Sequence, residues 1–157
     1  MNLIVQSLPS LNAVSPKEWN PLVPRSNPFL LHEFLRGLEN TNCVGTPDTG
    51  WIPRHLVIKN DEHDSLLAAL PLYEKYDSYG EYIFDWGWAR AAQSANIPYY
   101  PKLVSAIPFT PATGRKLLVH PEADTSRVQN KLIEDALACM RERNCSSLHF
   151  LFITAEE

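Results

Sequence analysis

W-I-P-R-H-L-V-I-K-N-D-E-H-D-S-L-L-A-A-L-P-L-Y-E-K-Y, residues 51–76, reads as two strands folded back on each other. Trp51 to Lys59 is apolar and partly β-branched, Asn60 to Asp64 is polar turn material, and Ser65 to Tyr76 returns as the second strand. Strands joined by so short a turn run antiparallel, and that sets the class of sheet. Pro71 removes a ladder donor from the returning strand, so a bulge or an edge position is expected there, with a gap that can admit a ligand.

Toward the amino terminus, Leu3 to Leu8 is a short apolar run closed by Pro9, a first strand. Ser15-Pro16-Lys17-Glu18 has the form of a capping box with proline at the first helical position, so a short helix follows to about Leu22. Asn27-Pro28 repeats the start signal. Leu31, Phe34, Leu35 and Leu38 then recur at helical spacing, which predicts a second helix from Phe29 to about Asn40.

Toward the carboxyl terminus the chain changes character. Residues 78–115 hold four Tyr, two Trp and two Phe around Glu81, Asp85 and Lys102, and aromatic walls with a few charges among them describe a pocket. Within this segment a short strand is expected around Tyr82 to Phe84, a helix from Trp86 to Ala95, and a strand from Lys102 to Ile107. Lys116 to Val119 is a further strand. Asp124-Thr125 caps a last helix whose apolar stripe is Val128, Leu132, Ile133, Ala136, Leu137 and Met140. Leu148 to Ile153 is a nearly continuous apolar run, of the kind buried on both faces of a sheet, and it calls for neighbours on both edges. The order predicts a mixed α/β (α+β) domain over residues 1–157, its largely antiparallel sheet flanked by helices.

Composition removes several classes of function. A net charge of −4 leaves no electrostatic footprint for DNA. Three cysteines, Cys43, Cys139 and Cys145, form no C-x-x-C pair, which points to a reducing, cytoplasmic setting. No apolar run approaches the roughly 20 residues of a membrane span, and the histidines lack metal spacing. Neither a G-x-S-x-G elbow nor a phosphate-cradling glycine loop occurs.

The titratable residues beside aromatic ones carry the chemistry. Glu81 and Asp85, desolvated among rings, are candidates for a general base, while Asp85 ahead of Trp86 is equally placed to cap a helix. Lys102 and Arg115 could bind a phosphate or carboxylate, or end their strands in solvent. His55, alternating with apolar neighbours, fits a hydrogen-bonded core histidine as well as a ligand. Trp86 and Trp88, two apart on a helix, face different ways, so at least one should be core.

G-W-I-P-R-H-L at 50–56, P-L-Y-E-K-Y at 71–76, S-Y-G-E-Y-I-F-D-W-G-W-A at 78–89, Y-Y-P-K-L at 99–103, P-F-T-P-A-T-G-R at 108–115 and the ending S-S-L-H-F-L-F resemble the FemAB-like N-acyltransferases, a branch of the GNAT superfamily. The resemblance implies a GNAT-like domain carrying an aromatic signature at 78–115, and an amino-terminal half whose sheet is incomplete after the strand at 148–153. It implies transfer of an acyl or aminoacyl group, from acyl-coenzyme A or aminoacyl-tRNA, to an amine on a peptidoglycan-like acceptor. Glu81 or Asp85 would be the base, and His55, Tyr73, Lys75, Tyr79, Tyr82, Trp86, Tyr99, Tyr100, Lys102, Phe109 and Arg115 would hold the acceptor. The link His120 to Ser126, without glycine and with two acids, departs from the pyrophosphate-binding turn of that superfamily. A different class of function also fits the residues: a binding module that uses the aromatic pocket and pairs its last strand with a partner, as a homodimer or with a second lobe.

Overall fold

In the computed structural model, which describes residues 2–157, the chain runs β1 (Leu3–Leu8), α1 (Pro16–Trp19), α2 (His32–Asn40), β2 (Trp51–Pro53), β3 (His55–Asn60), β4 (Leu66–Leu70), β5 (Tyr73–Lys75), α3 (Trp86–Ser94), β6 (Lys102–Ser105), β7 (Leu118–Val119), α4 (Thr125–Glu142) and β8 (Leu148–Phe150). The strands form two four-stranded sheets, ordered β1-β3-β4-β7 and β2-β5-β6-β8. Every pairing is antiparallel except β6 with β8. The class is mixed α+β, as expected, with two sheets where one was expected.

Pro71 explains the second sheet. Pro53 pairs with Tyr73, and three residues further on Leu56 pairs with Leu70, so the whole hairpin keeps one register. Between those pairs the ladder lapses, because Pro71 has no N–H to give. The Arg54 N–H still reaches the Leu72 carbonyl at 2.8 Å, but the Leu72 N–H turns to the His55 ring at 3.2 Å. The proline therefore divides the hairpin between two sheets, and the register shift expected there lies instead at Ile58 and Lys59.

Three packed clusters hold the layers. Trp19, Leu22, Leu30 and Leu35 of the amino-terminal helices and turns cover one face of the first sheet through Val57, Ala69 and Leu118. The Ser15 to Glu18 capping box forms as expected, and it aims Trp19 inward, where its indole N–H donates to the Leu30 carbonyl at 2.9 Å. The backs of both sheets, Leu56, Ile58, Leu70 and Leu103 among them, pack on Val128, Leu132 and Ala136 of α4. Each such leucine contributes about 1.5–3 kcal/mol by leaving water. The third cluster, Trp51, Tyr73, Val104, Ala106 and Leu151, covers the front of the second sheet.

Several expected elements differ. Residues 82–84 form no strand, because Tyr82 and Phe84 take left-handed φ values of 60° and 53°, which break extended backbone. α3 forms but buries none of its residues, so neither Trp86, 48% exposed, nor Trp88, 75% exposed, is core. Ile133 on α4 is exposed as well, outside the stripe that packs. β8 covers only Leu148 to Phe150, half-buried, at the edge of its sheet with β6 as its one strand neighbour among the described residues. It is not the central strand that its apolar composition suggested. No helix among the described residues is long and apolar enough to cross a membrane.

Candidate functional site

The front of the second sheet assembles the site by simple alternation. β5 and β6 pair Tyr73 with Val104 and Lys75 with Lys102, while β6 and β8 pair Val104 with His149. Side chains two residues apart share a face, so Trp51, Tyr73, Lys75, Lys102, Ser147 and His149 all belong to the front. Glu74, Leu103, Leu148 and Phe150 belong to the back.

Two lysines therefore stand side by side under a lid made of residues 77–100, and both are fully buried. Like charges directly opposite on a sheet repel, so each requires its own counter-group. The Lys75 ammonium lies 3.9 Å from the centre of the Trp51 ring, donates to the Tyr79 carbonyl at 2.9 Å and approaches Asp77 at 3.4 Å. Burial pushes its pKa down, against the pull of Asp77 and Glu81. Lys102 donates to Asp85 Oδ2 at 2.7 Å, Glu81 Oε2 at 2.9 Å and Ser78 Oγ at 3.1 Å. The Tyr99 hydroxyl adds a bond to Asp85 Oδ2 at 2.7 Å, and Ser78 and Tyr100 share a hydroxyl contact of 2.6 Å.

The two carboxylates on Lys102 titrate in opposite directions. For Glu81 burial wins, and its pKa is raised despite Lys102. For Asp85 burial is likewise the largest influence, but Lys102, Ser78 and Tyr99 together outweigh it and hold the carboxyl at about 2. Asp85 stands where a helix cap would, ahead of α3, yet its side chain makes no cap bond; its Oδ2 accepts from Lys102 and Tyr99. Its Oδ1 and the Oε1 of Glu81 are buried without a hydrogen-bond partner among the described residues. Unsatisfied buried acceptors of this kind are rare in folded proteins, and two of them here belong to the carboxylates of one lysine.

Glycine is obligatory where the lid begins. Gly80 has φ 76°, and a Cβ there would lie 2.6 Å from the Phe109 ring and 3.1 Å from the Trp51 indole nitrogen. The same turn is held by the Trp51 indole N–H to the Tyr79 carbonyl at 3.0 Å and the Phe109 N–H to the Gly80 carbonyl at 3.1 Å.

Above these groups opens a cavity of about 590 Å³, within the range of small-molecule sites. Its walls are apolar, Ile83, Phe84, Trp88, Ala92, Ile97 and Pro98, and its polar groups are Asp85, Tyr99, Ser146, Ser147 and His149. Ser147 Oγ and His149 Nε2 are 2.7 Å apart. Burial and the charge of Lys102 lower the His149 pKa, against Asp85.

Of the thirteen residues singled out in the sequence, Asp85 and Tyr99 line this cavity. Glu81, Lys102 and Tyr100 stand behind them in the hydrogen-bond network. Lys75, Tyr79 and Phe109 brace the lid, and Trp86 stacks obliquely on Tyr79 with ring centres 6.1 Å apart. Tyr82 is half exposed on the lid. The remaining three lie elsewhere. His55 is fully buried, its Nδ1 accepting from Leu72 and its Nε2 donating to Glu39 at 3.1 Å. Tyr73 is core beneath the site, edge-on to Trp51 and His55. Arg115 is exposed and pairs with Glu156 at 2.9 Å.

Ser147 and His149 do not stand out in the sequence, where the apolar run 148–153 reads as a strand buried on both faces. Their spacing was the available signal: two polar side chains two apart on a strand share one face. At the far side of the molecule, Asp124 accepts from the Arg127 N–H at 3.2 Å and so occupies the amino terminus of α4 with a carboxylate.

A family model described as FemAB-like, peptidoglycan biosynthesis/recognition, matches residues 10–157. No curated protein and no solved structure matches the chain.

Proposed function

The chain belongs to the FemAB-like family of peptidoglycan biosynthesis and recognition, and from that premise we propose that it is one lobe of an N-acyltransferase acting on the amine of a peptidoglycan-like acceptor. The observation that carries this reading is the cavity of about 590 Å³, whose apolar walls meet Asp85 and Tyr99 at the edge of a buried charge network. The apolar rim of Phe84 and Trp88 would hold the aliphatic arm of an acceptor, and Asp85 and Tyr99, the polar residues beside that rim, would face its amine. The donor would be an acyl or aminoacyl group activated as an ester or thioester, aminoacyl-tRNA or acyl-coenzyme A. With Asp124 at the head of α4, an aminoacyl ester suits this chain better than a pyrophosphate seated on that helix. The outer edge of β8 is where a second lobe would add a strand, continuing a GNAT-type sheet across the two.

The test starts with binding. A synthetic stem peptide with a free lysine amine, at about 100 times its dissociation constant, should stabilise the chain by about 2.7 kcal/mol, roughly a 5–10 °C rise in Tm for a domain of this size. Mass spectrometry of the same peptide, incubated with panels of aminoacyl-tRNA and acyl-coenzyme A, should show the added acyl mass. Binding without transfer from any donor would select the non-catalytic module, which the exposed rings of Tyr79, Phe84, Trp86 and Trp88 also favour. Absence of both would end the acceptor-pocket reading.

A further inference from the structure

We propose that His149, acting with Ser147, takes the proton that the acceptor amine loses during transfer; this assignment rests on the reaction proposed above. The amine must shed a proton as it attacks, and a base within hydrogen-bond reach of it is required. Neither carboxylate meets that need. The Glu81 side chain is fully buried against Lys102 and does not line the cavity. Asp85 does line it, but two charge-assisted or phenolic bonds already hold Oδ2, and a carboxyl held at about 2 binds a proton too weakly near neutral pH.

His149 and Ser147 meet the requirement by position. They are two apart, Ser147 just ahead of β8 and His149 within it, on the front of the sheet, both lining the cavity and joined by the 2.7 Å contact. The groups that set the charge of the imidazole are Lys102 on β6, Asp85 at the head of α3, Tyr99 in the segment before β6 and Ser147 just ahead of its own strand. Burial and Lys102 favour the neutral ring. The Tyr99 phenol, its pKa raised by burial and then by the Asp85 bond, stays protonated and remains a donor. With the proton on Nδ1, the His149 Nε2 accepts from the Ser147 hydroxyl, whose own oxygen then faces the cavity as an acceptor.

The step balances as follows. The amine enters as its free base and its lone pair attacks the acyl carbonyl carbon of the ester or thioester, forming the C–N bond. Its N–H proton passes to Ser147 Oγ while the Ser147 proton passes to His149 Nε2. As the bond from the carbonyl carbon to the leaving oxygen or sulfur breaks, the imidazolium returns a proton to that atom. Nothing is oxidised, and the histidine ends neutral.

The decisive experiment combines transfer kinetics with NMR titration of the full chain, using the lysine stem peptide and the donor panel. His149→Gln should lower kcat by about 10²–10⁴-fold, the usual worth of a positioned base, and leave the peptide's Kd unchanged. Ser147→Ala should fall between wild type and that variant. The wild-type kcat should rise with pH along a limb whose midpoint matches the imidazole of His149, and the limb should vanish in His149→Gln. Wild-type kcat in His149→Gln would overturn the assignment and leave the reaction standing. If no donor supports transfer, the reaction itself is refuted and the assignment falls with it; where transfer occurs, the NMR titration decides the rest. An imidazole midpoint below 6.5 that moves when the stem peptide is added supports His149 as the proton acceptor. A midpoint at or above 6.5, or one indifferent to the peptide, overturns it.

Discussion

The second sheet carries an ionic cluster on each face, and the two are built on opposite plans. On the back, one carboxylate meets two guanidiniums: Glu74 Oε2 accepts from Arg143 Nε at 2.5 Å and Arg54 Nε at 3.1 Å, and Oε1 accepts from the Tyr76 hydroxyl at 2.6 Å. Burial raises the Glu74 pKa, but Tyr76, Arg143 and Arg54 together bring it below its usual value. On the front, one ammonium serves two carboxylates, and an oxygen of each is left without a bond. A satisfied buried network stabilises and ties elements together, here β5 to the end of α4. An unsatisfied one costs stability and persists at sites that act on something else. The difference sets the two faces of this sheet apart: every oxygen of Glu74 on the back is bonded, and the front keeps two oxygens that are not.

The largest effect should come from the front. Lys102→Met removes the one cation that touches both acids, and breaking a buried pair from one side costs about 3–5 kcal/mol. Stripped of Lys102, both carboxyls take folded pKa values above their unfolded ones. The damage is then full at neutral pH and shrinks as the pH falls and the acids bind protons. Urea unfolding of both proteins at pH 7 and pH 5 should show the gap narrowing at the lower pH. A loss under about 1 kcal/mol, or a gap that widens with acid, would mean that the front cluster is no more dependent on its cation than a surface pair.

Glu74→Gln should cost less, about 1.5–3 kcal/mol, although it strands two cations. The Arg54 and Arg143 side chains are 22% and 36% exposed and can turn to water, a recourse that Glu81 and Asp85 lack. Because the folded pKa of Glu74 is lowered, its contribution is present above the unfolded value of 4.5 and is lost as the pH falls through the folded one. The gap between wild type and Glu74→Gln should therefore close in acid, as read by thermal unfolding across pH 7 to pH 3. A loss equal to that of Lys102→Met would erase the distinction between the faces.

How far the sequence shows these faces depends on which residues signal locally. The hairpin, the Ser15 capping box and the stripe of α4 are short-range patterns, and all three are found, the stripe without Ile133. Register is harder. Nothing between residues 51 and 76 says that Pro71 would divide one hairpin between two sheets, because that depends on what packs against each half. Tyr82 and Phe84 read as strand by composition, but both take left-handed φ and stand exposed, so no sheet face claims them. The site was half legible. Glu81, Asp85, Tyr99 and Lys102 stood out as charges and phenols in an aromatic run, and the fold brings them together. Ser147 and His149 come from a segment far along the chain, and only the parallel pairing of β8 with β6 carries them to the cavity.

The smallest expected effect is the sharpest test of the front cluster's plan. Glu81→Gln should change stability by less than about 1 kcal/mol at pH 7.5, even though Glu81 is as buried as Lys102. The raised pKa means that the fold accommodates the ionised side chain less well than the unfolded chain does. Its contribution is thus present below about 4.5 and lost as the pH rises through the folded value. Glutamine keeps a carbonyl for Lys102 and leaves the ammonium paired with Asp85 alone. Chemical unfolding at pH 4.5 and pH 7.5 should show the variant gaining on wild type as the pH rises. A loss above about 3 kcal/mol at pH 7.5 would show that both carboxylates are needed to hold Lys102, as both arginines grip Glu74 on the back. The front would then be a second scaffold cluster, with its free oxygens an incidental feature of burial.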